Sequence, residues 1–272
     1  MADAKPRVLL IVTQDTKQVE GRFLRDCLEE AGCEVVHLDP SVRRVIGGAE
    51  ISPDQVAEAV GMTLAEIRAI GHEGKIQEKM IEGSIKLALA ENTRSPFSGI
   101  LSIGGSMGTT LGTAVMRAFP YGIVKMMIST LTSGFTVPFV GSHDITMANA
   151  VCDIAGINSI SSDICRNAAF GVAGAAKAWK PRGKETRPLV LMSTLGTTEG
   201  AARAIRQTLE AKGYEVMVFH STGAGGKTLD SLATDPRVKA VIDLSLVEIN
   251  DLLHDGICSA GPDRGMAAIR AG

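Results

Sequence analysis

The chain has 272 residues, 45% hydrophobic and 21% charged, with a formal net charge of -2, a balance that fits a globular protein with a buried core. Aromatic residues make up only 4% and no basic block occurs, which argues against a nucleic-acid surface of stacking platforms and phosphate contacts. No apolar run reaches the ~18 residues of a membrane span, and Cys27, Cys33, Cys152, Cys165 and Cys258 lack CxxC spacing, so buried thiols in a reducing compartment are expected.

The N-terminal MADAKPRVLLIVT runs straight into a strand-like segment without the apolar stretch of a signal peptide, so a cytoplasmic protein is expected. Residues 8–38 read as strand, polar turn, amphipathic helix ending at Gly32, and second strand. The same pattern returns at residues 189–219. The two segments are identical at ten positions, among them Leu10, Thr13, Thr16, Arg22 and Gly32 of the first copy. Both copies therefore predict a βαβ start.

Between the copies, Ser52 and Thr63 are expected to cap short helices, and residues 74–92 to form a longer one. A buried-type strand at 97–103 leads into GGSMGTT and another helix. The strand-like GIVKMMIST follows, then PFVGS, then helix at 162–179. A polar linker, KAWKPRGKETR at 177–187, divides the chain into a domain at 1–180 and a second at 181–272. The second contains about three strands and ends on a helix, so its sheet is expected to be incomplete and covered by a partner chain, as in a homo-oligomer. The expected fold class is α/β: two Rossmann-like subdomains with mostly parallel sheets covered by helices.

Ligands of such sheets lie beyond the carboxyl ends of the strands, so the strand-end loops are the candidates. In Gly104-Gly105-Ser106-Met107-Gly108-Thr109-Thr110, backbone amides and hydroxyls at a helix start suit a phosphate; the alternative is a tight turn with N-caps. Asp15 suits Mg²⁺ or a ribose hydroxyl and Lys17 a phosphate, against a capping Asp or Thr beside a solvated Lys. Lys125, Ser129 and Thr130 belong to a strand in which a buried Lys requires an anion or a carboxylate, the alternative being an edge strand in water. Asp144 is either an N-cap or a metal or base residue, and His143 is read as structural. Thr222, Gly223, Gly225 and Gly226 form a second glycine loop that suits an anion. It is not a Walker A motif, because Ser221 stands where its first Gly belongs.

Read in order, the DTK turn, GGSMGT, KMMIST, GSHDITM, VCDIAGIN, FHSTGAGG and SAGPDR resemble one family. It is the Tm-one-like ATP-binding domain family, the nucleotide-binding region of a plant virus-resistance protein and its bacterial relatives. The resemblance implies two α/β subdomains and ATP or a related nucleotide with Mg²⁺. Gln14 and Gln18 replace the family's usual glycines around the DTK turn, and the family's second subdomain normally continues beyond SAGPDR. A nucleotide or other phosphate-bearing small molecule is thus the expected partner, with no nucleic acid and no membrane. An enzyme acting on a small phosphorylated or carboxylated metabolite, and a non-catalytic regulatory module, are the alternatives.

Overall fold

Strand β1 (Arg7–Ile11) is buried along Val8–Ile11, as its unbroken apolar sequence requires of a strand covered on both faces. The structure is a computed structural model that describes residues 5–134, 136–181, 183 and 185–272. The chain divides into two compact units, 1–180 and 181–272.

In the first unit, β1 runs into α1 (Gln14–Glu30), whose Leu24, Cys27 and Leu28 are buried. The helix stops where Gly32 takes φ +82°, a conformation that favours glycine, and the chain re-enters the sheet as β2 (Glu34–Leu38). Two short helices follow, α2 (Pro53–Glu58) and α3 (Leu64–Ala69). Ser52 and Thr63 cap them, each in a reciprocal capping box with Gln55 or Glu66. The long α4 (Glu73–Arg94) leads to β3 (Gly99–Gly104), which is buried throughout. Then come α5 (Ser106–Arg117), β4 (Val124–Ser129), the single turn α6 (Val137–Val140), β5 (Ile145–Asn149) and α7 (Ser159–Ala178). The five strands are parallel, in the order β2-β1-β3-β4-β5. Helices α1 and α7 cover one face, and α2 to α5 cover the other.

Two details differ from the sequence reading. Strand β5 begins in the segment GSHDITM and ends at Asn149, where no strand was assigned. Helix α7 also runs through Lys177, so the linker begins two residues later than its composition suggests.

The second unit repeats the opening: β6 (Leu189–Thr194), a 3₁₀ turn, α8 (Glu199–Glu210) and β7 (Glu215–His220). It continues with α9 (Ala224–Leu232), β8 (Val238–Asp243), α10 (Val247–Leu253) and α11 (Met266–Ala271). Its parallel sheet has the order β7-β6-β8. Only β6 is buried along most of its length; β7 and β8 are half-exposed. Both units are thus α/β with parallel sheets packed against helices. Among the described residues no helix is long and apolar enough to cross a membrane.

Candidate functional site

In the first sheet, β1 and β3 are neighbours whose following helices, α1 and α5, cover opposite faces. The chain therefore leaves the two carboxyl ends in opposite directions and opens a crevice between them, the usual ligand position of this strand order. A cavity of about 390 Å³ lies there. Asp15, Lys17, Gly104, Gly105, Ser106 and Gly108 all line it, so two candidate loops far apart in sequence share one site. Its walls add Arg43 from the loop after β2, and Glu73, Ile76, Gln77 and Met80 from α4.

The loop after β3 is held by its own packing. A Cβ on Gly104 would stand 2.7 Å from the Cα of Gly108, so the strand can turn this tightly into α5 only with glycine there. The Thr109 hydroxyl, fully buried, lies 2.6 Å from that of Ser129 at the end of β4. Ser129 also accepts from the amide of Leu131. Thr109 and Ser129 therefore brace the loop from beneath and do not reach a ligand, a correction to their reading as phosphate donors. Thr110 donates to the carbonyl of Ser106 within α5. Gln77 donates to the Met107 carbonyl at 2.8 Å and ties the loop to α4.

Three helices begin at candidate loops, and their first amides have different fates. In α1, the Gln14 amide donates to Asp39 Oδ1 and the Asp15 amide to Ser41 Oγ, both at 3.0 Å. Thus α1 is capped from the loop after β2 rather than by Thr13 or Asp15. Asp39 is fully buried, and desolvation pushes its carboxyl pKa up against the opposing hydrogen bonds from Ser41 and Gln14. Its second oxygen has no hydrogen-bond partner among the described residues. In α9, the amides of Gly223 and Gly226 donate to Glu248 Oε1 at 2.7 and 2.9 Å. Arg264 then grips Glu248 Oε2 through Nε at 2.7 Å and Asp243 through Nη2 at 3.0 Å. The Thr222–Gly226 loop is an anion cradle, but its anion is the protein's own buried carboxylate. This corrects its reading as a phosphate site. At α5, Gly105 supplies no side-chain cap, and the amides of Ser106, Met107 and Gly108 meet no acceptor among the described residues.

Lys125 and Asp144 form a second correction. Lys125 enters β4 at its amino end, opposite the loop after β3, and is 1% exposed. Its ammonium donates to Asp144 Oδ1 at 2.6 Å, the Pro120 carbonyl at 2.8 Å and the Ile123 carbonyl at 3.3 Å. Those acceptors use all three protons. Asp144 Oδ2 accepts from the Gly122 amide. The carboxylate partner that burial of Lys125 demanded is therefore Asp144, and neither residue reaches a phosphate or a metal near Asp15.

Asp15 receives the Arg43 amide on Oδ2 at 3.0 Å. Lys17 sits at a non-helical position within α1 (φ -130°, ψ 33°), and its ammonium donates to the Ile154 carbonyl. It links the cavity to the VCDIAGIN loop instead of standing in solvent. Thr130 does not line this cavity; its hydroxyl is 3.9 Å from the point where a Cβ on Gly105 would be. Among the described residues no group of three His, Cys, Asp or Glu is placed to enclose a metal on its own.

Residues 6–181 match the Uncharacterised protein family (UPF0261) N-terminal domain, and residues 187–272 match its C-terminal domain. The chain belongs to the UPF0261 family. A UPF0261 protein of Clostridium tetani is 37% identical over 266 residues, covering 96% of this chain and 65% of that protein. One from Mesorhizobium japonicum is 33% identical, covering 98% and 66%. This UPF0261 chain thus spans about 65% of the length of the Clostridium tetani relative it matches. The ToMV resistance protein Tm-1(GCR237) of Solanum lycopersicum is 29% identical over 285 residues, 95% of this chain and 37% of that protein. Among solved structures, a Streptomyces glycosyltransferase complexed with thymidine diphosphate aligns at 15% identity and a TM-score of 0.28, covering 89% of this chain and 72% of that one.

Several parts of the site escaped sequence reading. Asp39 and Ser41 follow β2 without a motif. Arg43, Glu73 and Gln77 are ordinary surface residues until the fold gathers them. Arg264 lies in SAGPDR, and the buried Glu248 has no sequence sign of its own.

Proposed function

We propose that this protein binds a nucleotide, ATP in the first instance, with its phosphates on the amino end of α5 and the rest of the molecule in the crevice beside it. The observation that carries this reading is the contrast among the three helix starts. Asp39 and Ser41 occupy the first amides of α1, and Glu248 those of α9, whereas those of α5 remain available at the edge of the cavity. Unpaired amides at the positive end of a helix are a strong anion site. Lys17 and Arg43 add positive charge at the rim, and Ile76, Met80 and Leu111 offer an apolar wall for a base. The volume of about 390 Å³ lies in the usual range for small-molecule sites.

Mg²⁺ accompanies the nucleotide in this reading. It is commonly held by one or two carboxylates plus substrate phosphates rather than by an all-protein cage. Asp15 at the cavity edge suits the first role, and the absence of a three-ligand cluster among the described residues is compatible with it.

Titration calorimetry of MgATP into the wild-type chain and Gly105→Val is the test. Gly105, the N-cap of α5, has φ -75°, and a Cβ there meets only the Thr130 hydroxyl at 3.9 Å, so a side chain at the head of α5 meets no backbone strain. Affinity should fall at least about tenfold, or 1.4 kcal/mol. An unchanged Kd in a folded variant would remove the assignment.

A further inference from the structure

A second cavity, of about 260 Å³, lies at the carboxyl ends of β4 and β5, and its Thr130 stands next to Gly105 of the nucleotide crevice. Its lining is Thr130, Ser133, Asn149, Val151, Cys152 and Asp153, so hydrogen-bonding side chains predominate and no cation is present. The Asn149 Oδ1 accepts from the Val151 amide and Asp153 Oδ1 from the Ile154 amide. Those bonds fix the two side chains, and the Asn149 amide nitrogen and the second Asp153 oxygen have no hydrogen-bond partner among the described residues. The hydroxyls of Thr130 and Ser133 bond to no side chain or backbone group among the described residues. Val151 holds φ +61°, a strained state for a β-branched residue, and at that bend Val151 and Cys152 join the cavity wall.

We infer that this second cavity binds an uncharged, polyhydroxylated group, such as a sugar or polyol, next to the terminal phosphate of the nucleotide. The chemistry of the lining selects that class. A lone carboxylate without a cation disfavours a second phosphate, and the polar wall disfavours an apolar group. Two hydroxyls, an amide nitrogen and a carboxylate oxygen supply both donors and acceptors, as a set of adjacent alcohols requires. Thr130 stands beside Gly105, so the hydroxylated group and the phosphate on α5 would be neighbours. The inference rests on the nucleotide reading. The hydroxylated group is either joined to the nucleotide, as in a nucleoside diphosphate sugar, or a separate molecule beside it.

Cys152 provides the readout. It lines the cavity and is partly accessible, as is Cys258, whereas Cys27, Cys33 and Cys165 are buried. Alkylation of Cys152 by a maleimide is followed in a Cys258→Ala chain with ADP alone, ADP with free glucose or ribitol, and ADP-glucose; calorimetry of ADP binding runs in parallel. Cys152 should be alkylated more slowly with ADP-glucose, or with ADP plus the free compound, than with ADP alone. The slowing should approach about tenfold at ten times the Kd. Protection by ADP-glucose only identifies a joined group, and protection by the free compounds a separate molecule. Ser133→Ala with Asn149→Ala should abolish the extra protection and leave ADP affinity unchanged. If ADP binds but neither addition slows alkylation further, the second subsite is overturned while the nucleotide reading stands. If ADP does not bind at all, the nucleotide reading falls and this inference with it.

Discussion

Asp39, fully buried, holds the start of α1 beneath the crevice residue Asp15 through the Gln14 amide. One of its oxygens receives the Gln14 amide and the Ser41 backbone, and the other is buried without a partner among the described residues. Burial raises its pKa, so ionising it costs more in the folded chain than in the unfolded one. Such a group favours folding most below the unfolded carboxylate pKa, and that contribution is lost as pH rises through the folded value. Asp39→Asn keeps an acceptor for the Gln14 amide and removes the titration. The stability of the variant relative to wild type, read as its melting temperature, should therefore rise as pH goes from acid to neutral. A flat difference between pH 4 and 7, measured by thermal unfolding, would show that Asp39 does not titrate in this way. Glu248 presents the opposite case, a carboxylate whose partners are all in place. Glu248→Ala would leave Arg264 Nε and the amides of Gly223 and Gly226 without an acceptor in the interior, at about 3–5 kcal/mol by denaturant unfolding, and Glu248→Gln should cost markedly less.

At the scale of elements, the ends of the first sheet divide the work. The carboxyl ends of β1 and β3 carry the open amides and the crevice. The amino ends of β4 and β5 carry Lys125 and Asp144, whose bonds are complete within the protein. Lys125→Met should then leave nucleotide affinity unchanged while lowering stability, because it removes the donor of Asp144 Oδ1 and of the Pro120 and Ile123 carbonyls. Asp144→Ala, which leaves the buried ammonium without its carboxylate, should cost about 3 kcal/mol. A drop in nucleotide affinity for Lys125→Met with an intact fold would restore Lys125 to the site. The sequence placed Lys125 correctly on a strand and its need for a partner followed from burial. Which end of the strand it occupies followed only from the register with β3 and β5. The glycine loops were legible for a related reason: a tight strand-to-helix turn demands residues without side chains, and that demand is written locally. Whether the amides of such a loop are free is not local, since Asp39 and Glu248 reach α1 and α9 from 25 and 22–25 residues away. Strand β5 was hidden because only Ile145 of its five residues is buried, so its pattern lacks the apolar run that marks β1 and β3.

For the whole chain, the repeated βαβ opening produced two parallel sheets of unequal depth. In the first, β1 and β3 lie between two helical layers with extensive cores on both faces. In the second, the buried apolar residues are confined to β6 and to Ala202, Leu229, Ala233 and Ala260 among the described residues, and Val218, Leu253 and Ile257 are exposed. The repeat was visible in sequence because it preserves the residues of one βαβ unit, and the shallower second sheet was expected from the three or so strands readable there. Buried apolar area is the main source of stability, so the two sheets should open at different free energies. Native-state amide exchange would measure this directly. The amides of β1 and β3 should exchange only through global opening of the first unit, and those of β7 and β8 through a lower-energy opening of the second. MgATP should raise protection around β1, β3 and the start of α5 by RT ln(1 + [L]/Kd), about 2.7 kcal/mol at a hundredfold excess over Kd where exchange requires the binding-competent unit to open. It should leave β7 and β8 unchanged, because their loop is already filled by Glu248. Equal protection in both sheets would contradict the difference in packing, and ligand-induced protection at β7 and β8 instead of β3 would move the nucleotide to the second unit.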